Sequence, residues 1–353
     1  MDLRKFIDAL AGEGHLRRII QPVDWNLEIG EISRKNQVPL LFENIKDYPG
    51  QVIFTNGLSS FESVRLALGF GAGISRDAVI REARKRMASP IQPVRAGTSA
   101  VLENVVHGPE INFLKFPVPR WSGQDSGRYI GTWHINVTRD LDTGIRNLGV
   151  YRMQVIGPNR ATVSAFPRSH LAVHVAKAEQ KGKPLEMAVA IGVSESLVMA
   201  AASGYPLGLD EYELAGALEG ESVPLIACLT VNLDVPAASE IVIEGLLQPG
   251  VRVVDGPYFD YAGKPTTNPN AYLFEATRLS YRKNFIFRGS AIGMPGAEDQ
   301  QLFSVLSELG LFDFHGSRLR QKLQAQLIKR GLFRSFQFAS RISIPKRWRH
   351  RRN

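Results

Sequence analysis

The sequence predicts an α+β fold: an N-terminal α/β segment, then an antiparallel β-barrel or sandwich with inserted helices, then a short helical, strongly basic tail. Three observations lead there. At 353 residues and 39.1 kDa the chain exceeds one ordinary core, so two domains or one large domain are expected. From about residue 106 to 290, short apolar runs follow one another with turn signals between them. Basic residues crowd the end of the chain and leave the rest near neutral.

Residues 1–105 alternate helical periodicity with short strands. "MDLRKFIDALAGEGHLRRI" reads as an amphipathic helix, with acids that a signal or transit peptide lacks. "SFESVRLALGFG" and "SRDAVIREARKRM" read as helices, "QVIFTN" and "AVLENVV" as strands. From 106 to 295 strands dominate: "YIGTWHINVTRD", "RNLGVYRMQVIG", "RATVSAF", "EMAVAIGV", "VPLIACLTVNL" and "SEIVIEGLL". The signals "DLDTG", "GPNR" and "QPG" separate them. Two helices, "SHLAVHVAKAEQKGK" and "LDEYELAGALEG", interrupt the series, and residues 296–353 turn helical and basic.

The apolar share of 44% and charged share of 22% are those of a soluble globular protein. One cysteine, Cys228, excludes an internal disulfide and fits a reducing cytosol, hence a cytoplasmic protein. It lies in an apolar run and reads as a buried, inert thiol. No run of about 20 apolar residues is present to span a bilayer. The net charge of +9 divides unevenly: residues 316–353 hold 12 of the 43 basic side chains and no acid. Residues 1–315 keep the other 31 against all 34 acids, a net of −3.

Three polar residues stand at element ends. Asn147 sits near a strand turn, His170 opens a helix where free N–H groups attract anions, and Glu211 opens another. An amide oxygen, an imidazole and a carboxylate suit Mn²⁺ or Mg²⁺. Each also has a plainer reading: a turn residue, a helix cap, and a first-turn acid favoured by the helix dipole. In "EGLLQPGVRVVDGPYFDYAGKPTT", Asp255 and Asp260 stand five apart around a Gly-Pro-Tyr-Phe turn. They read as solvated turn residues, one side of a metal site, or a pair that handles a proton.

The ordered series "RNLGVYRMQVIG", "SHLAVHVAKAEQKGKPLEMAVAIG", "GLDEYELAGALEG", "VPAASEIVIEG" and "DGPYFDYAG" resembles the UbiD-type decarboxylases, across roughly residues 1–300. These are the prenylated-flavin enzymes that include 3-polyprenyl-4-hydroxybenzoate carboxy-lyase. The resemblance implies a split β-barrel that binds prenylated FMN, with Mn²⁺ or Mg²⁺ bridging protein and flavin phosphate and K⁺ as a further ion. Its metal ligands fall on Asn147, His170 and Glu211. Its cofactor contacts fall on Thr132, Val150, Tyr151, Arg152, Ser164, Ala165, Phe166, Ser169 and His170. Its catalytic trio falls on Arg152, Asp255 and Asp260.

The implied activity is reversible, non-oxidative decarboxylation of an aromatic or α,β-unsaturated acid, such as a polyprenyl-4-hydroxybenzoate-type quinone precursor. Asp260 is then the proton donor, and Arg152 orients the acids and meets the substrate carboxylate. Two departures stand out. The family's first acid is usually Glu, one methylene longer than Asp255, and Phe259 replaces a glycine before the second. The chain is also shorter at its C-terminus than family members commonly are. The alternative is therefore a flavin-binding but inactive paralogue, or a subunit of a multi-subunit decarboxylase.

Expected partners are a prenyl-flavin synthase that supplies the cofactor and either further copies of the chain or a partner subunit. In the tail, Leu319, Leu323 and Leu327 recur at i, i+4, i+8 among Arg and Lys. That segment reads as a helix on the inner membrane surface, as a subunit-docking helix, or as solubilising charge. Nucleic-acid binding is disfavoured, because no stacking platform accompanies the charge.

Overall fold

The first helix shows how local sequence sets the frame. Asp2 accepts the Lys5 N–H as its N-cap, and Leu3, Phe6, Ile7 and Leu10 bury one face of Leu3–Gly12. The computed structural model describes residues 1–293 and 296–312; the basic tail at 316–353 lies outside them. Eight α-helices occur among the described residues, and none is long and apolar enough to cross a membrane.

A four-stranded sheet follows the order Arg17–Ile19, Leu40–Phe42, Val52–Thr55, Ile286–Arg288. Its fourth strand returns from far along the chain and pairs parallel with Val52–Thr55. Buried Arg288 fixes that return. It meets Glu195 at 2.9 Å and Glu298 at 2.5 Å, while Glu298 accepts the N–H groups of Asn56 and Leu58. Two buried acids around one guanidinium leave no uncompensated cation.

The larger sheet curls through Arg160–Val163, Pro265–Tyr281, Ile241–Phe259, Leu185–Ile191, His134–Arg139 and Arg146–Gly149, all antiparallel. Asn104–His107 adds to Pro265–Tyr281. Its central strand is buried on both faces. In Leu185–Ile191, Met187, Val189 and Ile191 enter one apolar cluster while Ala188 and Ala190 enter another. Such a strand reads as a continuous apolar run instead of an alternating one.

Three expectations change. "QPG" does not end a strand: Ile241–Phe259 continues through it with register shifts between Leu247 and Arg252. "AVLENVV" divides into a 3₁₀ turn at Ala100–Leu102 and the strand Asn104–His107. A third helix, Glu195–Ala201, joins the two expected in the strand-rich region. Every residue of it is buried, so it carries no polar face for periodicity to detect.

Candidate active site

One stretch of chain, residues 147–152, touches both polar clusters. Asn147 ends its approach on the strand Arg146–Gly149, and Arg152 directly precedes Met153–Gln154. Val150, Tyr151 and Arg152 lie between these strands, half-buried. Five residue steps can span at most about 18 Å.

At one end, His170 and Glu211 each occupy the first position of a helix. Ser169 caps His170–Gln180 by accepting the Ala172 N–H, and Asp210 caps Glu211–Glu219 by accepting that of Tyr212. The two helix starts bring His170 beside both Asn147 and Glu211. His170 Nδ1 lies 3.1 Å from Asn147 Oδ1 and 3.6 Å from Glu211 Oε1. Glu211 Oε2 also accepts the Leu148 N–H at 2.9 Å. Burial pushes the Glu211 carboxyl up, with His170 and the Leu148 N–H opposing. Asn147 Nδ2 is buried without a hydrogen-bond partner among the described residues.

Donors bound at 2.0–2.1 Å to an octahedral ion stand about 3 Å apart when adjacent, close to these spacings. A buried acid also favours a cation beside it. The three residues fit a hard divalent ion. Among the described residues no group of three His, Cys, Asp or Glu gathers as a metal site; here the third donor is the Asn147 amide. A pocket of about 170 Å³ adjoins the cluster, bordered by Arg146, His174, Lys177 and Leu207–Leu209.

At the other end, Arg152 Nε and Nη2 both lie 2.6 Å from Asp255 Oδ2. Asp255 is fully buried, and its Oδ1 accepts the Thr162 hydroxyl at 2.7 Å. Asp260 Oδ2 is 3.9 Å from Arg152 Nη1, beyond a hydrogen bond, and accepts the Thr266 hydroxyl at 2.7 Å. Thr266 Oγ1 in turn accepts from Arg152 Nη1 at 2.8 Å. Tyr258 lies beneath the guanidinium, 5.1 Å from ring centre to Cζ. Its buried hydroxyl has no partner among the described residues, and burial pushes it well above the usual phenol range.

The two acids are not both on a turn. Asp255 belongs to the strand Ile241–Phe259 and stands opposite Asn268; only Asp260 begins the turn, accepting the Ala262 N–H. The shorter acid reaches Arg152 because its strand carries it there. Phe259 needs no left-handed backbone: it pairs with Pro265 in the strand and donates its N–H to Asp125. The glycines that do need that freedom are Gly256, at φ 100°, and Gly263, at φ 71°.

The remaining expected cofactor contacts are scattered around this stretch. Ser164 donates its N–H to the Arg152 carbonyl, and its hydroxyl accepts from Asn268. Ala165 and Ser169 are half-buried, while Phe166 is exposed and edge-on to Tyr261. Thr132 is buried and accepts the Ser290 N–H. Thr162 and Thr266 enter the site without a sequence signal, since their value lies in cross-strand register.

The curled sheet and eight helices form a mixed α/β fold of the kind found in UbiD structures. The profile of the 3-octaprenyl-4-hydroxybenzoate carboxy-lyase Rift-related domain matches residues 92–295, and that of the N-terminal domain of the same enzymes matches 7–87. The chain belongs to the UbiD family.

A phenolic acid decarboxylase of Streptomyces sp. (strain D7) is 33% identical over 312 residues, covering 84% of this chain and 65% of the relative. A pyrrole-2-carboxylic acid decarboxylase of Pseudomonas aeruginosa is 33% identical over 328 residues, covering 89% of this chain and 66% of the relative. The UbiD-class enzyme HmfF of Pelotomaculum thermopropionicum, solved in complex with prFMN in an evolved dimeric form, superposes with a TM-score of 0.80. It is 32% identical, with 87% of this chain and 71% of that one covered. The chain spans about two thirds of the length of the curated relatives it matches.

Proposed function

We propose that this chain is a prenylated-FMN-dependent carboxy-lyase acting on an aromatic or α,β-unsaturated acid, with Mn²⁺ or Mg²⁺ as its metal. One observation carries the reading: a hard-donor cluster and an Arg–Asp–Asp cluster stand five residues apart along one stretch of chain. The matching relatives named as decarboxylases of aromatic acids support it. In this reading residues 1–105 form the N-terminal domain, 106–295 the split barrel that holds flavin and metal, and 296–353 the basic tail.

Asn147, His170 and Glu211 would hold the divalent ion, which would neutralise the flavin phosphate beside the His170 helix start. Thr132, Val150, Tyr151, Ser164, Ala165, Phe166 and Ser169 would border the flavin. K⁺ is assigned as a further ion. When bound, prenylated FMN supplies the electron sink for the negative charge left as CO₂ departs.

The protein's own part is orientation and a proton. Arg152 is anchored by Asp255 and presents a fixed positive charge to the substrate carboxylate. As the carboxylate leaves, the carbon it occupied takes one proton from Asp260 Oδ, which solvent then restores. In the carboxylating direction the same oxygen removes that proton.

The finer assignments are a polyprenyl-4-hydroxybenzoate-type substrate, a prenyl-flavin synthase as supplier, and a cytoplasmic chain whose tail meets the inner membrane surface. Oligomerisation, or a partner subunit, would complete the site. The vanillic acid decarboxylase of Sedimentibacter hydroxybenzoicus, ShVdcCD, is solved with a truncated ShVdcD, which favours a partner subunit as the second arrangement.

The test is production together with a prenyl-flavin synthase, followed by assay of CO₂ release from 4-hydroxybenzoate, pyrrole-2-carboxylate and vanillate. Turnover is expected with at least one acid. Asp260→Asn should keep its cofactor and lose about 100-fold or more in rate, the lower end for general acid catalysis. Bound cofactor without turnover would favour the inactive-paralogue reading, and near-normal turnover in Asp260→Asn would remove Asp260 from the chemistry.

A further inference from the structure

The two acids are tied to Arg152 in different ways. Asp255 takes two guanidinium donors onto one oxygen at 2.6 Å, and its other oxygen takes the Thr162 hydroxyl. Asp260 is too far from the guanidinium for a direct hydrogen bond, at 3.9 Å. Thr266 fills the gap. A guanidinium can only donate, so the Thr266 oxygen must accept from Arg152 Nη1. Its own proton is therefore free to point elsewhere, and Asp260 Oδ2 at 2.7 Å receives it.

We propose that Thr266 is a positioning residue that couples Arg152 to Asp260 and so makes the two acids unequal. The proposal rests on the decarboxylase reading for its catalytic meaning, but the coupling itself belongs to the apoprotein. The Arg152–Asp255 pair joins two ionised groups through two donors on one oxygen, whereas the Thr266 hydroxyl that meets Asp260 is neutral. Asp255 is thus clamped, whereas Asp260 is oriented by a single hydroxyl and by the Ala262 N–H. The strand fixes this arrangement: Thr266 stands directly opposite Tyr258, and its carbonyl also accepts from Arg152 Nη2 at 3.3 Å. Serine would preserve the coupling. Valine keeps the size and suits a strand but removes it.

The test uses full-length, cofactor-free protein labelled with carboxyl-¹³C aspartate. The Asp260 and Asp255 resonances are assigned by their disappearance in Asp260→Asn and Asp255→Asn. Thr266→Val and Thr266→Ala should both move the Asp260 resonance and leave that of Asp255 in place, and Thr266→Ser should restore it. An unmoved Asp260 resonance in Val or Ala, or a shift in Ser as large as in Val, would overturn the proposal.

In loaded enzyme, with an acid found to be turned over, kcat should fall about tenfold or more in Thr266→Val at unchanged KM. In Thr266→Ser it should recover to within about threefold of wild type. A loss carried by KM alone would instead assign Thr266 to substrate binding. Because the resonances are read without cofactor or substrate, a chain that decarboxylates none of the acids would end the proposed function and leave this assignment intact.

Discussion

Glu211 illustrates what a single residue must resolve. Its carboxyl is buried, burial pushes its titration up, and its neighbours are the Leu148 N–H and a partly exposed imidazole. A divalent ion would supply the missing positive charge and carry it on to a phosphate. Glu211→Gln should therefore lose metal and flavin together, read by metal analysis and flavin absorbance on one sample. Flavin fully retained in metal-free protein would refute the shared site. His134 poses the opposite problem: it is fully buried, its ring nitrogens make no well-aligned hydrogen bond among the described residues, and burial, opposed by nearby Asn136 and the Tyr151 backbone, pushes it down to about 4. The unfolded chain takes up this proton near pH 6.5 while the folded chain does not, so His134 lowers stability as pH falls from 6.5 towards 4. Asp299 works the other way, since burial raises it to about 7 and the folded chain binds its proton first. A single variant separates the two. Between pH 7 and pH 5 His134→Leu should lose about 2 kcal/mol less stability than wild type, measured by urea unfolding at both values. Equal losses would mean that water or a neighbour satisfies the ring. Nothing in the sequence marked His134, because a histidine in an apolar strand looks alike whether partnered or orphaned.

At the scale of elements, the hairpin of Ile241–Phe259 and Pro265–Tyr281 positions the acids, and its irregularities matter as much as its pairing. Register shifts flank Asp255, between Val253 and Asp255 and again between Asp255 and Tyr258. They let an acid on a long strand face Arg152 instead of following strict alternation. Gly256 occupies the second shift, and a Cβ there would lie 2.6 Å from the Thr266 carbonyl. Gly256→Ala should cost about 2 kcal/mol or more and disturb both acids at once. Thermal unfolding together with the Asp255 and Asp260 carboxyl resonances checks this; an alanine variant with unchanged stability and spectra would contradict it. The sequence revealed the helices at His170 and Glu211 because their capping residues, Ser169 and Asp210, are local signals. It also revealed Asp255 and Asp260, as acids in an apolar stretch. It did not reveal that a strand passes through "QPG" and "DGP", since turn residues at a bulge and at a true turn are the same residues. Thr162 and Thr266 were equally silent: a threonine in a strand is ordinary until its cross-strand neighbours are known.

For the molecule as a whole, the described chain is held together by contacts that cross its length. Arg288 joins the returning strand to Glu195 and to Glu298 on the helix Glu298–Leu309, and Trp133 donates to Glu195 at 2.7 Å. Arg4, on the first helix, reaches Glu240 at 2.7 Å. These buried and half-buried pairs tie distant parts of the described residues to one another. Residues 316–353 bring 12 cations and no acid, and removing them changes the net charge from +9 to −3. Near an anionic leaflet each cation contributes about 1 kcal/mol. Twelve cannot all lie at the surface together, so their sum is an upper bound. A protein ending at residue 315 should remain folded and flavin-binding and lose most of its affinity for phosphatidylserine vesicles. In the full-length chain that affinity should weaken as salt rises, because screening shortens the reach of each charge. Sedimentation with vesicles at two ionic strengths measures both effects. A truncated protein that binds vesicles as before would end the membrane-surface reading. One that precipitates or releases flavin would show instead that the tail packs on this chain or on a neighbouring subunit.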